Sequence, residues 1–222
     1  MDLAPAGEYR STYREDMTIF PTRNSRWAML LGVALVCATP LFFGRYELGL
    51  LINIGTLGIA ALGLNILVGF TGQISIGHAA FFGFGAFASA WLHERWGVPV
   101  ALCIPLAGVI TALVGLVFGA PAARLKGLYL AIATLAAQFI LEDFFARAQW
   151  FTGGVSGRIT EPFSIGTWTA DREESYIYVV IAYVVVMYLG GANLMRTRDG
   201  RALVAVRDHY LSAEVMLSLI HI

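Results

Sequence analysis

What this sequence has least of is charge. Asp, Glu, Lys and Arg make up 14% of its 222 residues, against about 25% in an ordinary soluble domain. A chain so short of polar surface cannot cover a water-facing globule. With 58% hydrophobic residues and a mean hydropathy of +0.69, it reads as an all-α membrane protein that crosses the bilayer several times. Neither sign of charge is in excess: 15 basic and 15 acidic residues give a formal net charge of zero. No basic surface therefore points to nucleic acid. Cysteine is scarce as well. Cys37 and Cys103 both sit in apolar runs without CxxC spacing, and they read as small packing residues rather than metal or redox ligands. Catalytic signatures are missing: there is no GxSxG, no HExxH, no P-loop lysine motif and no pair of intramembrane carboxylates. No catalytic residues, no metal site and no bound cofactor are expected. Uphill transport by such a chain has to draw its energy from a partner or an ion gradient.

Long apolar runs are what the chain does have. Six can be marked, at Trp27–Phe43, Leu48–Phe70, Ile74–Leu92, Val98–Ala120, Leu128–Phe145 and Tyr176–Met195. Each is long enough as helix to cross a hydrocarbon core of about 30 Å. Some 26 mostly polar residues precede the first run, too many for the start of a signal peptide, so Trp27–Phe43 is read as an uncleaved span. Basic residues gather in the tail 1–26 (Arg10, Arg14, Arg23, Arg26), in the fourth connection (Arg124, Lys126) and after the sixth run (Arg196, Arg198, Arg201, Arg207). If six spans alternate, all three segments face the cytoplasm, which places the N-terminus inside. The other side receives Arg45, the His93-Glu94-Arg95 turn and a long loop at about 149–175 with Glu161, Asp171, Glu173 and Glu174. That loop is too long for a simple connection. Its composition fits a disordered external loop and a docking surface or gate equally.

One polar knot interrupts the apolar runs. Residues Gly63–Trp91 read GLNILVGFTGQISIGHAAFFGFGAFASAW, with Thr71-Gly72-Gln73, then Ser75 and His78, set among membrane-grade neighbours. Lipid would leave such groups unpaired at a cost of several kcal/mol each, so the stretch should line a protein interior or a path through the membrane. The uncharged connection Thr71–Gln73 also fits a break within discontinuous or re-entrant helices. Gly58, Ala61, Asn65, Gly69 and Gly72 recur at helical spacing, as do Ser75, His78, Phe82, Gly85 and Ser89, and these predict two small-residue helix faces. Gly108, Ala112, Gly115 and Gly119 predict a packing face in the fourth run, and Thr134, Gln138 and Glu142 a polar face in the fifth, with Gln138 the deepest. The polar groups of the knot can act as packing glue or as contacts along a hydrated path. His78 has no second ligand at metal spacing, and no proton partner for it is visible.

After the sixth run, residues 196–216 predict a short amphipathic helix, capped by Asp199 and starting near Gly200, with Leu203, Val206, Tyr210 and Ala213 on one face. It can lie on the membrane lipid or fit a groove on a cytoplasmic partner.

The stretch GLNILVGFTGQISIGHAAFFGFGAFASA closely resembles the signature of the permease subunits of branched-chain amino acid ABC importers. RLKGLYLAIATLA at 124–136, TGGVSG at Thr152–Gly157 and RDGRALVAVRDHYLSAEVM at 198–216 resemble later motifs of that family in the same order, over roughly Trp27 to Met216. The likeness is more to the LivM-type than to the LivH-type subunit. It implies a transport subunit of the bacterial inner membrane that pairs with a LivH-like permease. Two cytoplasmic ATPase subunits would bind ATP and Mg, and a periplasmic binding protein would deliver the solute. Within the matched knot it implies a path role for Asn65, Gln73, Ser75 and His78, with Gly69, Gly72 and Gly77 packing helices. It also implies that Gly200, Arg201, Ala202, Arg207 and Glu214 belong to a segment coupling to the ATPase. Leucine, isoleucine and valine systems share these motifs with urea and amide systems, so the solute is less closely defined than the machinery. An ion-coupled carrier or channel is the competing reading, but such carriers place charge at mid-span and these runs have none. A membrane-embedded enzyme lacks its catalytic groups, and a pure assembly subunit would not need the polar face.

Two departures from the family stand out. Its members continue with further spans beyond the coupling segment. The terminal Leu217–Ile222, LSLIHI, breaks the pattern and matches a translated transposase-end sequencing adapter. Residues 217–222 are accordingly expected to be a non-native tail, and the natural protein to be longer.

Overall fold

The computed structural model describes residues 23–122, 124, 125, 127–165 and 168–221, without the side chains of Arg23, Val155 and residues 210–221. Most of the tail 1–26, Lys126 and the side chains of 217–222 thus lie outside the described residues, together with the expectations attached to them.

Helices form at all six predicted positions. They are α1 (Arg23–Cys37), α2 (Arg45–Leu64), α3 (His78–Trp96), α4 (Val100–Ala122), α5 (Leu128–Arg147) and, after a short α6 (Gln149–Thr152), α7 (Glu173–Arg196). A final α8 covers Arg198–His221. Among the described residues, four stretches are long and apolar enough to cross a membrane: Arg45–Phe70, Val100–Ala122, Leu128–Arg147 and Glu173–Arg196. The other two differ for separate reasons. α1 has 15 residues, about 22 Å of helix. It gives way at Cys37 to a 3-10 turn, Thr39–Leu41, that carries Pro40. α3 is long enough but carries His78, His93, Glu94 and Arg95, and much of it is enclosed by protein rather than lipid.

The chain divides into two compact units, Met1–Leu62 with Tyr176–Ile222, and Gly63–Ser175. In the first, Tyr178 on α7 donates its hydroxyl to the Cys37 carbonyl at the end of α1, 3.3 Å away. Gly55 on α2 lets α7 come close, since a Cβ there would lie 2.6 Å from Val180 Cγ1.

The second unit is built around α3. Ala80, Phe84, Ala88 and Leu92 recur every fourth residue and are buried against Cys103 and Ala107 of α4, Leu141 of α5, and Ala148 and Phe151. Phe84, Phe87, Phe144, Phe145 and Phe151 interleave there, with ring centroids as close as 5.1 Å for Phe84–Phe151. The packing face of α3 is therefore rotated from the predicted one. Phe82 is 44% exposed, and Ser89 turns its hydroxyl back to the Ala86 carbonyl. Gly85 of that predicted face does lie against α4, where a Cβ would come 3.3 Å from Thr111 Oγ1. α4 shows the outward counterpart. Leu102, Leu106, Val109, Leu113 and Leu116 form a stripe at 4-3-4-3 spacing that is exposed in the chain, the face expected of a helix against lipid. Its predicted glycine face packs only at Gly115, which meets Phe81; Gly108 and Gly119 have open space.

The segment at 149–175 is ordered where described. Thr152 is buried, with Oγ1 3.1 Å from the Phe145 carbonyl, and it accepts the Gly154 amide at 3.3 Å. Gly153, Gly154 and Gly157 take positive φ of 80°, 65° and 64°, which folds TGGVSG back on itself. A two-stranded antiparallel hairpin, β1 (Phe163–Ile165) with β2 (Trp168–Ala170), pairs Phe163 with Ala170 and packs on α4. The disordered reading of this loop is replaced by a tied-down one.

Candidate functional site

The polar knot is where the helical run fails. α2 passes into a wider π turn, Asn65–Phe70, with Thr71 N–H bonding back to the Ile66 carbonyl at 3.2 Å. Thr71 Oγ1 folds onto the Leu67 carbonyl. Gly72 then takes φ 69°, a left-handed conformation that costs other residues energy and that ends the helix. α3 does not restart until His78, with Gly77 at its N-cap. The discontinuous-helix reading of this connection is the one the structure has. It also corrects two expectations: neither Gly72 nor Ser75 belongs to a helical face, because both lie in the break.

The break is fastened to α5. The Ile76 amide donates to Thr134 Oγ1 at 3.0 Å. Gly77 lies against the Thr134 carbonyl so tightly that no Cβ fits. Thr134 Oγ1 itself bonds to Ala131 O at 2.9 Å, one turn back in α5, so one hydroxyl joins the two segments.

Beside this joint lies a cavity of about 300 Å³, lined by Gln73, Ser75 and His78, by Thr134 and Ala137 of α5, and by Phe81, Gly115, Phe118 and Gly119. Its wall is apolar apart from an amide, two hydroxyls and an imidazole, and none of the described lining residues carries a carboxylate or a guanidinium. Such a lining hydrogen-bonds a small polar solute without holding it by fixed charge. The His78 ring reaches back to α2, where a Cβ at Gly63 would lie 3.5 Å from Nε2.

Three of the four predicted path residues thus converge, and the fourth does not. Asn65 is exposed, folds its side chain along Gly69 one turn on, and is not among the cavity residues. The π turn between Asn65 and the knot breaks the helical register that placed them together. Thr134 was visible only as one member of a polar face. Gln138, read as the deeper contact of that face, instead bonds Glu142 on its own helix at 2.9 Å.

At the other end of α3, Arg158 clamps the glycine loop. Its Nε donates to the Phe151 carbonyl at 2.7 Å, and its other nitrogens engage the Trp150 carbonyl and Glu94. His93 bonds the Val98 carbonyl through Nδ1 at 2.9 Å.

The segment after α7 departs from its prediction in one detail. Thr197, not Asp199, caps α8: its Oγ1 accepts the Gly200 amide at 3.1 Å. Gly200 is buried so closely that a Cβ would sit 2.5 Å from Met195 Cα. Arg201 donates to the Arg196 carbonyl at 2.6 Å, fixing the elbow between α7 and α8. Ala202 is half-buried, Arg207 pairs with neighbouring Asp208 at 2.7 Å, and α8 kinks at His209 (φ −157°, ψ 85°). The side chain of Glu214 lies outside the described residues.

Comparison with known proteins adds a family. The model for the permease component of the branched-chain amino acid transport system matches residues 46–216. The chain is 32% identical over 174 residues to the high-affinity branched-chain amino acid transport system permease protein LivM of Salmonella typhimurium, and equally to that of Escherichia coli. In both cases the match covers 68% of this chain and 41% of the relative, so the chain spans 41% of the length of the curated relatives it matches. No solved structure matches it significantly.

Proposed function

The chain belongs to the family of permease components of branched-chain amino acid transport systems, and from that membership we propose that it is the membrane permease subunit of an ATP-driven importer of branched-chain amino acids. The observation that carries this reading is the break at 71–77, pinned to Thr134 and opening Gln73, Ser75 and His78 into a cavity among apolar helices. A break of this kind presents backbone and side-chain dipoles to a solute at membrane depth, and it is tolerated only where it lines a protein cavity.

In this reading α8 seats in a groove of a cytoplasmic ATPase, through Gly200, Arg201, Ala202 and Arg207 with Glu214 further along. The ATPase subunits carry ATP and Mg, and this chain performs no hydrolysis. The tight Gly200 elbow favours that role, because a rigid joint passes movement from α8 to α7 without bending. A second LivH-like permease completes the path in the inner membrane. The glycine loop held by Arg158 faces a periplasmic binding protein, and the N-terminus is cytoplasmic.

The test is uptake of labelled leucine, isoleucine and valine into proteoliposomes that hold the assembled complex, with amides and urea as competitors. ATP-dependent uptake of the branched-chain amino acids is expected. Uptake driven by an ion gradient without ATP, or transport of amides alone, would reject the proposal.

A further inference from the structure

A second cavity, of about 520 Å³, lies at the opposite end of α3 from the break and has no part in the path described above. Trp91, Glu94 and Arg95 line it from the last turns of α3, Trp150 from α6 and Arg158 from the loop beyond. These side chains are in different states of commitment. Arg158 is spent on the loop carbonyls and Glu94, and its side chain is 10% exposed. Glu94 meets Arg158 through Oε2, while its Oε1 has no partner among the described residues and the side chain is 59% exposed. Arg95, next in sequence, is exposed and makes neither ion pair nor hydrogen bond among the described residues. The Trp91 and Trp150 rings meet edge to face at 6.2 Å.

One uncommitted guanidinium, one half-free carboxylate and two indoles therefore share one pocket. With Arg158 offsetting much of the Glu94 charge, a simple cation would meet Arg95 uncompensated, while a simple anion would pair with Arg95 and leave Glu94 Oε1 without a donor. An uncharged apolar solute would strip water from both without replacing it. A zwitterion with an aliphatic body satisfies all three surfaces, since the ammonium also gains from the indole faces. The volume suits a small ligand. We propose that this pocket binds a free aliphatic α-amino acid, its carboxylate on Arg95, its ammonium on Glu94 Oε1, and its side chain against Trp91 and Trp150. The proposal rests on branched-chain amino acids being the transported solute. An aminophospholipid head group carries the same two charges, and the experiment separates the two sources.

The chain in phosphatidylglycerol nanodiscs is titrated with L-leucine while tryptophan emission is followed. Isoamylamine, which lacks the carboxylate, and 4-methylpentanoate, which lacks the ammonium, are titrated in parallel. Leucine should give a saturable change, with each analogue about tenfold weaker. Arg95→Gln should weaken leucine about tenfold and erase its advantage over isoamylamine. Arg95 holds up no other part of the fold among the described residues, so this variant should keep its thermal stability. Identical titrations of parent and R95Q would overturn the proposal, as would isoamylamine matching leucine. Loss of the leucine response when phosphatidylethanolamine is added to the discs would mean that a head group occupies the pocket, and would overturn it too. Leucine uptake by the assembled complex separates the two readings. Uptake without a leucine response fails this site alone, whereas a response without branched-chain uptake fails the transport reading.

Discussion

The Ile76 amide and the Thr134 hydroxyl, 58 residues apart in sequence, meet at 3.0 Å and join the unwound segment before α3 to the middle of α5. Both sides of the joint contribute to the cavity beside it, Ser75 and His78 from the segment around Ile76 and Thr134 from α5. Thr134→Val keeps the shape and removes the acceptor. It should cost about 1 kcal/mol of stability, the ordinary net worth of such a bond, and should lower leucine uptake by the complex. Thr134→Ser should retain both. Thermal melting in detergent and uptake assays measure the pair, and equal behaviour of Val and Ser would deny the joint its role.

Gly77→Ala should be far more damaging than its size suggests. The added methyl has to displace the Thr134 backbone carbonyl, and backbone in a packed helix yields poorly. Gly119→Ala, at a position with open space around it, should stay within about 0.5 kcal/mol of the parent. Expression level and melting temperature of the two variants provide the check.

Arg158→Gln removes the clamp on the Trp150 and Phe151 carbonyls and frees Glu94. Amide hydrogen exchange at Gly153, Gly154 and Gly157 should accelerate, with little change at Ala80–Ala88 in the centre of α3. Uniform acceleration would point to global destabilisation instead.

At the elbow before α8, Thr197→Ala should cost about 1 kcal/mol through the lost cap. Gly200→Ala should disturb the joint more, because its methyl meets Met195 and the Leu194 carbonyl. In the assembled complex, Gly200→Ala and Arg207→Glu should both reduce solute-stimulated ATP hydrolysis. Unchanged stimulation in both would remove α8 from the coupling route.

The positions of the helices were legible because apolar runs and their polar interruptions record them directly. The knot was legible as a departure from lipid for the same reason: Gln73, Ser75 and His78 have no place in hydrocarbon, and they line a cavity between helices. The faces were less so. Helical spacing was projected through Gly72 and Ser75, but the positive φ at Gly72 and the π turn before it put the break outside any single register. Thr134 could not be picked out because its importance comes from Gly77, whose missing side chain admits the Thr134 carbonyl from a distant segment. Arg158 was visible only as a loop charge, since nothing in the sequence announces that two carbonyls seven and eight residues back and the distant Glu94 converge on it. The cap at Thr197 was missed for a smaller reason: Asp199 and Thr197 are both competent caps, and the tight approach of Gly200 to Met195 decides between them.

The π turn at Asn65–Phe70 holds one residue more than an α-helical turn of the same rise. That surplus is slack in an otherwise taut rod. Passing it along by a single residue exchanges one backbone hydrogen bond for another and turns only the residue it passes, by about 100°. Thr71 and Gln73 bond back into the π turn, at 3.2 Å to the Ile66 and Leu67 carbonyls, so the surplus is taken up where the break begins and the helix ends without leaving those carbonyls bare.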